Sequence, residues 1–182
     1  MDLSKTDFNE ASRIAKILSN RLELKKDLPA MVFRGAGLEY YFFERPLLSS
    51  IDVLHKLVRL SYETFSTKVF VLFGEPQNGA YYVLDGQGLE EDIENLSAGF
   101  LDFFKGTVDY PMVIGNLDCD WLAFESACEE YGVLALNSGG SRLEFSEFLR
   151  ENLISSEEFR SLKGNYEILD KIIDAFHEYF QE

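Results

Sequence analysis

Residues 67–84 read TKVFVLFGEPQNGAYYVL. Two runs rich in β-branched and aromatic side chains flank Glu75–Gly79, a turn by both its Pro76 and its Asn78-Gly79 step. So short a turn joins antiparallel strands, because a parallel pair needs a crossover of a dozen residues or more. The segment therefore predicts a hairpin, with strands over 67–73 and 80–84. A second pair follows at 119–125 and 131–136, where an acidic break separates two apolar runs. YPMVIGN at 110–116 reads as a further strand, placed at a sheet edge because of Pro111. AMVFRG and LEYYFFE predict strands over 30–34 and 38–43, with Gly35 and Gly37 in a tight turn between them.

Helical spacing fills the rest. Ser4 with Asp7 resembles a capping box ahead of a first helix that presents Ile14, Ile17, Leu18 and Leu22 on one face. Leu24 to Pro29 closes it. Ser49 and Asp52 open a helix over about 50–65, with Ile51, Leu54, Val58, Tyr62 and Phe65 as its apolar stripe. A third helix, about 88–105, repeats Leu89, Ile93, Leu96, Phe100, Phe103 and Phe104 at helical spacing. Ser141 with Glu144 and Ser155 with Glu158 start two more. A last helix covers about 165–181, separated from its predecessor by Gly164. Hairpins dominate and strands do not alternate with helices. The expectation is one α+β domain over 1–182, with a mainly antiparallel sheet of about five to seven strands. Residues 141–182 form a C-terminal helical segment packed on it.

The chain has 182 residues, 46% of them apolar and 14% aromatic, enough for a sizeable core. Its net charge of −15 is unevenly spread. Residues 1–84 hold 10 acids and 11 bases, whereas residues 85–182 hold 22 acids and 6 bases. A negative field repels phosphates and anionic membranes, which argues against nucleic-acid and membrane partners and favours basic proteins. A merely solvated surface is the ordinary alternative. The N-terminus lacks a basic start followed by an apolar core, and no apolar run is long enough to cross a bilayer. Cys119 and Cys128 carry no zinc or CxxC spacing. These signs predict a cytoplasmic protein with two free thiols.

No motif carries cofactor, metal or catalytic chemistry. RGAGLEYY lacks the third glycine of a dinucleotide loop and is followed by a strand. NSGGSR precedes a helix start in acidic surroundings, and Ser141 is explained as a cap. DGQGLEED lacks the early acidic ligands of a calcium loop, so Glu90, Glu91 and Asp92 read as helix N-terminal acids. His55 and His177 each lie at the margin of an apolar stripe. Two acidic features remain. Glu167, Asp170, Asp174 and Glu178 form a ridge on the last helix, softened only by Lys171 and opposite Leu169, Ile172, Ile173, Phe176 and Phe180. Asp118 and Asp120 stand at the entrance of the second hairpin, and Glu129 and Glu130 at its tip.

In that hairpin, Leu122 and Phe124 should face one side of the sheet, and Trp121, Ala123 and Glu125 the other. Its residues Asp120, Trp121 and Tyr131–Leu136, in DWLAFESACEEYGVLAL, resemble a hairpin of bacterial immunity proteins, which protect a cell from its own toxins. The resemblance covers about a tenth of the chain. It implies a cytoplasmic, non-catalytic protein that binds a toxin, such as a basic nuclease, through acidic residues. Asp118, Asp120, Glu129, Glu130, Glu167, Asp170, Asp174 and Glu178 are then the partner-binding candidates. Trp121 is either core or an interface anchor. A carboxylate-based hydrolase assembled from distant acids and a homo-oligomeric scaffold are the alternatives.

Overall fold

The computed structural model describes residues 7–84, 88–103, 110–139, 143–164 and 166–180, with the backbone alone for 97–103. Expectations for Ser4, for Asp85–Gln87, for Phe104 and for Gly140–Arg142 lie outside the described residues, as do those for the side chains of Phe100 and Phe103. The described elements are α1 (Phe8–Arg21), β1 (Leu38–Glu44), α2 (Ile51–Phe65), β2 (Val69–Phe73), β3 (Ala80–Leu84), α3 (Leu89–Phe103), β4 (Met112–Asn116), β5 (Trp121–Glu125), β6 (Tyr131–Asn137), α4 (Leu143–Asn152), β7 (Ile154–Ser155), α5 (Ser156–Ser161) and α6 (Glu167–Ala175). Two 3-10 turns, Leu47–Ser49 and His177–Phe180, add to these.

The strands form one antiparallel sheet in the order β3-β2-β4-β5-β6-β1-β7. The fold is α+β. Both expected hairpins are present, β2 with β3 and β5 with β6. Three connections cross over intervening strands: β1–α2–β2, β3–α3–β4 and β6–α4–β7. The first runs toward the β3 edge along one strand direction, and the other two run toward the β7 edge along the opposite direction. Reversing both direction and displacement preserves the hand, so a shared crossover hand puts α2, α3 and α4 on one face. Their residues Leu54, Leu57, Val58, Ile93, Phe145 and Leu149 join Trp121, Ala123 and Leu134 in one core. The other face belongs to the two ends of the chain. Ile14 and Leu18 of α1, Val32 and Phe33, Phe159 of α5 and Ile173, Phe176 and Tyr179 cover Phe42, Phe70, Leu122 and Phe124. Every residue of β2, β4 and β5 is buried, as in a sheet covered on both sides. Among the described residues, no helix is long and apolar enough to cross a membrane.

Several local expectations change. Asp7 is itself the N-cap of α1 and accepts from the amides of Asn9 at 2.9 Å and Glu10 at 3.0 Å. Such a cap contributes about 1 kcal/mol. At α2 the cap position falls on Ser50, whose side chain makes no cap bond, so the expected start at Ser49 and Asp52 is not formed. The buried stripe of α2 is also rotated: Leu57 and Ser61 join Leu54 and Val58, while Ile51 and Tyr62 are exposed. The Ser155–Glu158 capping box of α5 is formed as expected.

Residues 30–34 are not a sheet strand, and Gly35 and Gly37 are not a hairpin turn. Glu23 N–H donates to the Val32 carbonyl, and Arg34 N–H to the Arg21 carbonyl, each at 2.7 Å. The segment thus clips to the end of α1, leaving Val32 and Phe33 buried without a ladder. β4 is interior rather than an edge strand. Pro111 stands just before its first residue, where no ladder N–H is required, and its carbonyl accepts from Gly74 N–H at 2.9 Å. The last helix stops at Ala175, and a 3-10 turn carries Tyr179 into the core.

Candidate functional site

The hairpin's strand alternation places Trp121 and Ala123 in one core and Leu122 and Phe124 in the other, as expected. Trp121 is not an interface anchor. Its side chain is fully buried, and its Nε1–H donates to Ser61 Oγ at 2.8 Å. The two acid pairs lie at opposite ends of the hairpin, because Trp121 is opposite Leu136 and Phe124 opposite Val133. Five strand residues at about 3.3 Å each keep those ends on the order of 15 Å apart. Cys119 and Cys128 are separated in the same way, too far for a disulfide. Asp118 and Glu130 are exposed. Asp120 is half-buried and locks the β4–β5 turn. Its Oδ2 accepts from Asn116 Nδ2 at 2.9 Å, and its N–H donates to Asn116 Oδ1 at 2.8 Å.

The ridge expected on the last helix is dispersed. Glu167 pairs with Lys171 at 2.8 Å, and Asp174 pairs with Lys163, so Lys171 is not the only cation at hand. Asp170 Oδ1 accepts from Gly164 N–H at 2.7 Å. Glu178 sits in the 3-10 turn, off the ridge, and its Oε2 accepts from Met31 N–H at 2.7 Å. This layer also holds α1 and the 22–34 loop. Over residues 7–34 and 156–180 it carries ten acids and nine bases, so it is almost neutral.

Part of the acid excess lies on the opposite layer. Among the residues whose side chains are described, helices α2, α3 and α4 carry nine acids and three bases. Glu144, Glu147 and Glu151 are all exposed and recur at helical spacing along one face of α4. Glu90, Glu91 and Asp92 occupy the first turn of α3, where the helix dipole favours them. α2 lies between these two helices: His55 Nε2 is 4.0 Å from Glu90 Oε1 of α3, and Lys56 Nζ is 5.3 Å from the Phe148 ring of α4. Ile51, Tyr62 and Leu143 are exposed apolar side chains on the same layer. Periodicity along each helix reveals none of this, since the excess arises from which helices share a face. His55 belongs to this layer and His177 to the other, so the sheet separates them.

The charge map does not single out Glu125, although the sequence carries its signal. Strand alternation points Glu125 to the Trp121 side, into an apolar row. Its residue is 1% exposed. Oε1 accepts from Leu47 N–H at 2.7 Å, and the buried Oε2 has no hydrogen-bond partner among the described residues. Burial pushes the carboxyl up to about 8, against the opposing pull of the Leu47 amide and Arg45. The Arg45 guanidinium lies 5.9 Å from the centre of the Tyr110 ring. Burial also raises the Tyr110 hydroxyl, with Glu125 adding to the shift and Arg45 opposing it. Gly132 makes room for this arrangement: a Cβ there would lie 2.4 Å from the Phe43 ring and 3.1 Å from Glu125 Cγ. The carboxyl ties the 45–47 connection to the hairpin, a tie repeated by Arg45 N–H donating to the Glu130 carbonyl at 3.0 Å. General acid–base work needs a carboxyl within reach of substrate, and Glu125 is sealed.

Among the described residues, no group of three or more His, Cys, Asp or Glu could hold a metal ion. Comparison of the chain with family models, with curated proteins and with solved structures gives no match.

Proposed function

We propose that the chain is a non-catalytic binding protein that receives a basic protein partner on the α2–α3–α4 layer, in the manner of an immunity protein neutralising a toxin. The observation that carries this reading is the nine-to-three acid excess of that layer, set against near balance on the other. A one-sided field orients a basic partner before contact and raises the association rate more than the final affinity. Ile51, Tyr62 and Leu143 supply apolar contacts within the acidic surround, a combination suited to a protein partner. The hairpin that resembles immunity proteins acts here as framework, since Trp121, Val133, Leu134 and Leu136 are buried. The resemblance therefore supports the class of protein, while the helical layer supplies the surface.

The test uses the protein encoded immediately upstream of this chain. Its expression should arrest growth, and co-expression of this chain should restore it. Replacing Glu144, Glu147 and Glu151 together by lysine should slow association of the purified pair by about tenfold or more at low salt. Absence of binding at low salt, or growth arrest that this chain does not relieve, overturns the reading.

A further inference from the structure

The outer edge of β1 is only partly covered. β7 takes this edge at Tyr41 and Phe42, opposite Ser155 and Ile154, and the chain then turns into α5 at Ser156. Ser156 Oγ donates to the Tyr40 carbonyl at 3.0 Å, so Tyr40 directs its backbone groups outward. Backbone direction alternates along an antiparallel strand, so Leu38 points outward too. The inner neighbour agrees: Asn137, opposite Leu38, sends its own N–H away from β1 to the Asp120 carbonyl at 2.8 Å. The N–H and C=O of Leu38 and the N–H of Tyr40 thus face outward, and no described residue bonds to them.

A groove of about 660 Å³ follows this stretch. Both faces of the sheet edge wall it. Glu39, Tyr41 and Arg150 form one bank, and Tyr40, Phe180 and Arg160 form the other. Its size falls among ligand pockets, which run to about 300–1,000 Å³. The groove lies in line with β7, which shows that this edge accepts an antiparallel strand.

We propose that the groove binds an extended peptide segment of a partner protein, added as a strand to β1 where β7 leaves off. Outward N–H and C=O groups at strand spacing are matched by another extended backbone, and main-chain bonds supply the affinity in such complexes. Alternate side chains of the peptide fall on the two banks. One bank suits an apolar residue against Tyr40 and Phe180. The other suits a polar residue that donates to Glu39 or accepts from Arg150. The site lies at the sheet edge, and its main-chain bonds come from β1 rather than from the acidic layer.

Selection from a random heptapeptide library on the full chain tests this. Enriched peptides should share alternation of apolar and polar residues. In the free chain, the amides of Leu38 and Tyr40 should exchange with deuterium faster than those of Glu39 and Tyr41, which point toward β6. On adding an enriched peptide, the Leu38 and Tyr40 amides should slow by about tenfold or more. N-methylating alternate amides of the peptide in one register should abolish that protection, and in the other register should leave it intact. If no peptide enriches, or if binding peptides leave both amides exchanging as before, the proposal is overturned. Equal loss from N-methylation in either register overturns it as well.

Discussion

Replacing Glu125 by glutamine keeps the shape and the acceptor for Leu47 N–H, and removes the ability to ionise. The carboxyl titrates near 8 in the folded chain, against about 4.3 in an unfolded one. Between those values the folded state holds a proton that the unfolded state has released. Stability is therefore fully present below about pH 4.3 and falls as pH rises, until the folded group also ionises near 8. From there to pH 7 is nearly three pH units at about 1.4 kcal/mol each, an order-of-magnitude loss of about 3 to 4 kcal/mol. Glu125→Gln escapes this loss. The variant should match the parent near pH 4.3 and exceed it by about 3 kcal/mol at pH 7, or roughly 6–12 °C in Tm for a chain of this size. Urea melts of both proteins at half-unit steps from pH 4 to 8.5 measure the difference, and general charge repulsion cancels because it acts on both. A variant less stable than the parent at pH 7, with a difference that does not vary with pH, would contradict a protonated Glu125. It would mean that Glu125 is ionised and paired with Arg45, since breaking a buried pair costs about 3–5 kcal/mol.

Trp121→Phe should lose about 2–3 kcal/mol, because it leaves the Ser61 hydroxyl buried without the indole N–H that donates to it; chemical denaturation measures this. Gly132→Ala should destabilise by about 1–3 kcal/mol through collision with the Phe43 ring, whereas an uncrowded Gly→Ala change would not. Thiol titration of the folded chain at neutral pH should label Cys128 alone, since Cys119 is buried and its thiol is pushed up to about 12. Unfolding without reductant should expose a second thiol, two in all; finding none there would contradict the separation of the two cysteines.

The hairpins were legible because their information is local: strand propensity, turn residues and alternation all sit within a few positions. The capping box at Ser155 is local in the same sense. Failures came where one residue type has two uses. Pro111 signals an edge strand or a strand start, and only the neighbours of β4 decide between them. Val32 and Phe33 look like strand residues because they are apolar and bulky, yet the Val32 carbonyl and Arg34 N–H bond to the end of α1, and Val32 N–H donates to Tyr179 Oη. The grouping of the acids by face is hidden for a related reason. Charge counted along the chain assigns the excess to the second half, but α4 and α6 belong to that half and lie on opposite faces. Glu178 and Asp120 look like free acids in sequence and are occupied by backbone and side-chain donors in the fold. Glu125 was readable in part: an acid on the buried side of a strand marks a position with a special environment, though not the Arg45 and Tyr110 that complete it.

Stopped-flow association of the protein encoded immediately upstream with two charge-reversed forms of the chain is the most direct test of binding on the α2–α3–α4 layer. One form carries lysine at Glu144, Glu147 and Glu151 on α4, and the other carries lysine at Glu167 and Asp174 on α6. The α4 form should associate about tenfold or more slowly at low salt and show a weaker salt dependence, while the α6 form should keep nearly the parent rate. Slowing confined to the α6 form, or equal rates for all three proteins, would contradict binding on that layer.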